Sequence, residues 1–255
     1  MFPDTKGRIE FLQLDLADLS TIKASVQKFL AKDTRLDVLV NNAGVMFPPG
    51  GQTDTQGHEL QMGTMVLGHF LFTQQLTLVL VKTAASAPKD SVRVIWAGSL
   101  GLHLYSPPDG VSFDAQGNAE IFKNQQTNYG QAKCGNLYMA SEFGRLHGQE
   151  GIVSVCFNPG NLQTELQRHT GAIANAAAKA MLHPAIFRAY TELWSGWSAS
   201  LTTAQNGMYI APWGRDATFT LRKDITKGIQ SKSEGGSGIA EELWRWCERE
   251  TSKYA

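Results

Sequence analysis

Three short apolar runs limit how this chain can fold. They read LDVLVNNAG at 36–44, SVRVIWAGS at 91–99 and GIVSVCFNPG at 151–160. Each is rich in Val or Ile and almost continuously hydrophobic, as strands are when a parallel sheet is covered on both faces. A fourth candidate, RIEFLQLDL at 8–16, is less continuous. Helical patterns lie between the runs. Ser20 can cap a helix that carries Ile22, Val26, Phe29 and Leu30 on one face. A longer helix is expected over 58–82, and another starts near Asn128 and buries Leu137, Ala140 and Phe143. IAEELWRWCERE at 239–250 reads as a further amphipathic helix, with SEGGSG at 233–238 as the link before it. Strands alternating with helices of this length mean an α/β fold with a parallel sheet.

Each run ends in small or polar residues: Asn41–Asn42–Ala43–Gly44, Gly98–Ser99 and Asn158–Pro159–Gly160. Ligands of open parallel sheets sit beyond the carboxyl ends of the strands, so these residues collect where a site belongs. Tyr129 and Lys133, four positions apart, share one helix face. A free phenol, with a pKa of ~10, is a poor acid–base group near neutrality. A nearby ammonium is expected to lower that value and let the phenol exchange a proton with an alcohol or carbonyl oxygen. With six tyrosines in the chain, such a pair alone is as easily a surface pair. Ser99 gains meaning beside it, because its hydroxyl closes the second buried run. The small residues at 41–44 allow a flat ligand close to the backbone, although any tight turn uses them too. In NPGNLQT (158–164), Pro159–Gly160 forces a turn and Thr164 offers a hydroxyl.

In this order and on these elements the motifs resemble the short-chain dehydrogenase/reductase family, from about Arg8 to Trp213. The matching residues are Asp15 in LDLADL, Asn41–Gly44 in NNAG, Ser99 in WAGSLG, Tyr129 and Lys133 in YGQAK, and the segment PGNLQT. Thirty residues separate Ser99 from Tyr129, a gap similar to that of the retinol-dehydrogenase-like branch, and the C-terminal stretch looks like fungal members that serve secondary metabolism. The resemblance implies a Rossmann-like doubly wound parallel sheet and hydride transfer between a nicotinamide cofactor and a small-molecule carbonyl or alcohol. NADP is favoured over NAD by family habit. It also implies roles: Tyr129 as proton donor, Lys133 lowering its pKa and holding the nicotinamide ribose, Ser99 orienting the carbonyl. Asp15 would contact the adenine, Asn41 the adenosine ribose, and Leu162 and Thr164 the carboxamide and nearby phosphate, with Ala43 and Gly44 lining the cofactor site. A homo-oligomer is a family expectation.

The chain departs from that pattern in two places. Only seven residues precede Arg8, whereas a strand, glycine-rich turn, helix and second strand need roughly 30 or more. The expectation is therefore one N-terminally truncated Rossmann-like domain over 1–255. Either the run at 8–16 re-pairs beside 36–44, or an edge stays unpaired. Met65 stands where the family usually has an asparagine that kinks its helix and holds a proton-relay water. Methionine is expected to do neither, which slows turnover.

Other classes fare worse. A chain that binds no cofactor, a truncated remnant, is the main alternative. A serine hydrolase built on AGSLG (97–101) needs a helix directly after Ser99, where LHLYSPPDG reads as a loop, and a base such as His169 or His183. The six histidines show no metal-ligand spacing. Formal net charge is zero, which argues against nucleic acid and anionic membranes. The run at 66–81 is too short and too polar to span a bilayer. Cys134, Cys156 and Cys247 suit buried thiols rather than disulfides or zinc. With no address signal at the N-terminus, the cytoplasm is the default location.

Overall fold

The computed structural model describes residues 6–161 and 183–255. Three strands form where the apolar runs predict them: β1 (Val38–Asn41), β2 (Val92–Ala97) and β3 (Ile152–Phe157). They pair in parallel in the order β1-β2-β3, with Asn41 opposite Trp96 and Ala97 opposite Phe157. Every residue of β2 and β3 is buried, which is why both read as unbroken hydrophobic runs. Two short strands extend the sheet beyond β3: β4 (Tyr209–Ala211), parallel to it, and β5 (Arg215–Asp216), antiparallel to β4.

The helices cover both faces. α1 (Leu19–Leu30) buries Leu19, Ile22 and Val26. Its cap is Asp18, not Ser20: the Asp18 carboxylate accepts from the Ser20 N–H at 3.0 Å and from the Ser20 hydroxyl at 2.7 Å. Ionised, it suits a helix N-terminus better than a hydroxyl does. Leu30 falls off the buried face and is exposed.

α2 runs continuously over Leu60–Ala84. At 25 residues it is long and apolar enough to cross a bilayer, longer than the run at 66–81 suggests, yet 72% of its apolar window is buried inside the protein. α3 (Gly101–Leu104) is a single turn, α4 (Gln125–His147) is the central helix, and α5 (Ile186–Trp197), α6 (Lys223–Ile229) and α7 (Ile239–Thr251) complete the layers. The cysteines are free and buried.

The run at 8–16 is not a strand. Ile9 and Phe11 lie in solvent, and among the described residues only Leu14 and Leu16 of its apolar side chains pack against the core. It is tethered to α1 through side chains: the Ser25 hydroxyl donates to the Gln13 carbonyl at 2.6 Å, and Lys32 meets Glu10 at 2.8 Å. Its alternation is strand-like, but it has no ladder to join, because β1 pairs only with β2 among the described residues.

Candidate active site

α4 begins at Asn124, whose side chain accepts from the Gln126 N–H at 2.9 Å. One turn in, Asn128 fixes the incoming chain by bonding both the N–H and the carbonyl of Phe122, at 2.8 and 2.9 Å. Tyr129 follows, and Gly130 after it lets the helix press against the backbone at 105–106. A Cβ there would lie 2.3 Å from the Ser106 nitrogen. Gly101, opening α3, does the same for the phenol ring: a Cβ would sit 2.8 Å from Tyr129 Cε1. Phe47 meets that ring edge-on at 5.2 Å. The phenol is thus boxed in by a helix turn and an aromatic edge, and Tyr129 is buried.

Ser99, at the carboxyl end of β2, lies close enough to Tyr129 for its hydroxyl to pull the phenol pKa down. Its Oγ accepts from the Gly101 N–H at 3.0 Å, while its carbonyl accepts from the Tyr209 hydroxyl at 3.0 Å. The chain after Ser99 turns into α3 rather than the expected loop. Among the described residues no histidine is bonded to the serine; His103 instead meets the Tyr209 ring at 5.4 Å. His183 lies against Phe187 and Trp213, and His169 is outside the described residues.

Lys133 is buried and donates to the carbonyl of Ala97, the last residue of β2, at 2.8 Å. Asn136, one turn on, donates to the same oxygen at 2.9 Å. The end of one strand thereby positions two side chains of α4. The ammonium lies 5.8 Å from the centre of the Tyr129 ring.

The expected electrostatics are corrected here. Burial raises the Tyr129 pKa above its ordinary value; the Ser99 hydroxyl and then the Arg188 charge oppose this without overcoming it. Lys133 is itself pushed down to about 8, chiefly by burial, with the Arg188 charge acting the same way against the Cys156 thiol. Desolvation outweighs the helix neighbour because the ammonium is turned toward a strand end rather than toward the hydroxyl.

Met65 brings a second correction. The helix widens into a π-helical turn over Gly63–Gly68 with methionine in place. Gly68 allows its close approach to the Leu16 carbonyl, which a Cβ would reach at 2.4 Å. The His69 ring bonds the Met65 carbonyl at 2.9 Å. His69 is fully buried and its pKa is pushed down to about 4, by burial first and by the Lys133 charge in addition, so the neutral ring donates Nδ1–H to that carbonyl. The Met65 side chain fills the space beside Gly44, where a Cβ would lie 2.7 Å from its sulfur.

These groups face a cavity of about 300 Å³, lined among others by Ala43, Gly44, Met65, Tyr129, Lys133 and Arg188. That is the lower end of ligand-pocket sizes. Asn42 also lines it, and its Oδ1 is buried without a partner. Asn41 sits behind, its Nδ2 donating to Thr73 at 2.8 Å and its Oδ1 likewise unpartnered. Asp15 lies in the exposed coil, where its carboxylate accepts from the Ala17 N–H at 2.9 Å. Leu162 and Thr164 lie outside the described residues. No group of three or more potential metal ligands occurs among the described residues. Orphaned amide oxygens beside a buried lysine and tyrosine suit a ligand that brings hydroxyl or amide donors, as the nicotinamide riboside end of a dinucleotide does.

Sequence reading missed Gly101, Gly130, Asn136 and Arg188. The two glycines stand next to catalytic candidates and could have been singled out for close packing; Asn136 and Arg188 carry no local signal.

A parallel sheet with a serine, a tyrosine and a lysine gathered at its carboxyl edge defines an oxidoreductase of the Rossmann-like class. The family model described as short chain dehydrogenase matches residues 2–87. A short-chain dehydrogenase/reductase of Phomopsis amygdali is 43% identical over 257 residues, covering 99% of this chain and 76% of that protein. The protein named short-chain dehydrogenase/reductase iacJ, of Pestalotiopsis fici, is 40% identical over 99% of this chain and 75% of its own length. The chain belongs to the short-chain dehydrogenase/reductase family. Among solved structures, an uncharacterized protein from Mycobacterium paratuberculosis superposes with a TM-score of 0.65 at 23% identity, covering 98% of this chain and 78% of the other. An NADPH-bound carbonyl reductase from chicken fatty liver does so with 0.56 at 16% identity, covering 80% and 75%.

Proposed function

We propose that this chain reduces a small-molecule carbonyl, or runs the reverse alcohol oxidation, with a nicotinamide cofactor bound at the carboxyl edge of β1–β3. The observation that carries the reading is that Tyr129 and the buried Lys133 line one cavity at the carboxyl edge of the sheet, where Ser99 closes β2 within reach of the phenol. When bound, the cofactor supplies or accepts the hydride. Ser99 offers its hydroxyl to the substrate oxygen and holds it against Tyr129. With its pKa raised, Tyr129 keeps its proton through neutral pH, the state needed to protonate a carbonyl oxygen. Lys133, Asn42 and the small residues Ala43 and Gly44 would hold the nicotinamide riboside end. NADP is the proposed form; two solved neighbours of the fold, the chicken carbonyl reductase and RhlG of Pseudomonas aeruginosa, are described with NADPH or NADP. The fungal relatives support a place in fungal secondary metabolism.

Tyr129→Phe tests the assignment. NADPH-dependent ketone reduction should fall on the order of 100- to 10,000-fold, the usual contribution of general acid catalysis. NADPH affinity, read by fluorescence titration, should stay within about twofold, since the ring and its packing are kept. Unchanged turnover would remove Tyr129 from the mechanism.

A further inference from the structure

The cavity holds a second cation besides Lys133. Arg188 lies in the first turn of α5 and lines the same wall system as Tyr129, Lys133 and Asn42. No aspartate or glutamate is among the described residues lining it. Arg188 has one carboxylate neighbour among the described residues, Glu192, one helical turn on, whose oxygen accepts from Nε at 2.8 Å. That bond occupies the inner edge of the guanidinium. The terminal nitrogens have no partner among the described residues, and they form the planar fork that matches two oxygens of a carboxylate or phosphate. The charge of Arg188 is felt at both Tyr129 and Lys133, so it lies within electrostatic reach of the reacting atoms.

Two cations around a small cavity whose described lining carries no carboxylate leave room for an anion. Substrate charge is the better use of Arg188, because Tyr129, the proton donor to the reacting carbonyl, lines the same cavity. We infer that Arg188 anchors an anionic oxygen group, a carboxylate or phosphate, on the molecule that enters this cavity, so that the enzyme prefers carbonyl substrates bearing a negative charge near the reacting carbon. This rests on the reductase reading above.

The test pairs phenylpyruvate, an anionic ketone, with its uncharged methyl ester, in the wild type, Arg188→Gln and Arg188→Lys. Three quantities are read: KM for each ketone with NADPH, NADPH affinity by fluorescence, and phenylpyruvate binding by calorimetry without cofactor. The expected result is a KM for phenylpyruvate at least tenfold below that of the ester, a gap that Arg188→Gln closes and Arg188→Lys partly restores. Calorimetric binding of phenylpyruvate should be lost in Arg188→Gln. If instead NADPH affinity falls tenfold in Arg188→Gln while the two ketones stay alike, the anion belongs to the cofactor phosphates and the proposed substrate preference is overturned. If neither ketone is reduced, the reductase reading fails by itself, and calorimetry still decides the anchor. Equal phenylpyruvate binding and equal NADPH affinity in wild type and Arg188→Gln would overturn it.

Discussion

The carboxyl edge of β1–β3 and the coil at 8–16 are both rich in apolar residues, yet they behave as opposites. At the edge, Tyr129, Lys133 and Met65 are buried, and Lys133 and Asn136 both end on the single carbonyl of Ala97. In the coil, Ile9 and Phe11 stand in water, and the backbone is held by side chains of α1 rather than by a ladder. Alternation of apolar residues permits a strand; a neighbouring strand and a cover on both faces make one. The edge also shows how far burial outweighs local charge, since it raises the phenol above its ordinary pKa and lowers the ammonium below its own.

This contrast can be broken or sharpened by measurement, beginning where the largest effect is expected. His69, neutral in the interior with a pKa near 4 against 6.5 when unperturbed, makes the unfolded chain bind more protons between those values. Its contribution is therefore complete above pH 6.5 and lost as pH falls toward 4, by roughly 3 kcal/mol. Urea unfolding at pH 7 and pH 4.5 should show this acid loss, and His69→Gln should flatten it; an equal loss in both proteins would assign it elsewhere. Next, Gly101→Ala forces the Tyr129 ring to move. A displacement of that size should cost about 100-fold in kcat/KM, and crowding the buried ring should lower stability by roughly 1–3 kcal/mol. The smallest effects belong to the coil. Leu16→Ala should destabilise by about 2 kcal/mol, whereas Ile9→Ser and Phe11→Ser should each stay within about 0.5 kcal/mol. Comparable losses at all three positions would mean that the coil is packed in solution.

The sequence made the parallel sheet legible through β2 and β3, because strands buried on both faces leave no polar interruptions. β4 and β5 were beyond such reading, being three and two residues long. The run at 8–16 misleads for the reason given above: its pattern is local and its pairing is not. Within the site, Ser99, Tyr129 and Lys133 are recognisable from residue type and order. The direction of the lysine is not, because it depends on a carbonyl thirty-six positions away in the chain. Arg188 was invisible for the same reason: its place in the cavity depends on how α5 packs. The widened turn at Met65 shows that a helix distortion can rest on glycines and a histidine around it rather than on the residue at its centre.

The contact between Gly44 and the Met65 sulfur has a corollary for substitution. One position lies in the loop after the first strand and the other in the helix that follows, and each sets the size allowed to its counterpart. The two sites are therefore coupled in size: a side chain at 44 fits only where residue 65 is smaller than methionine.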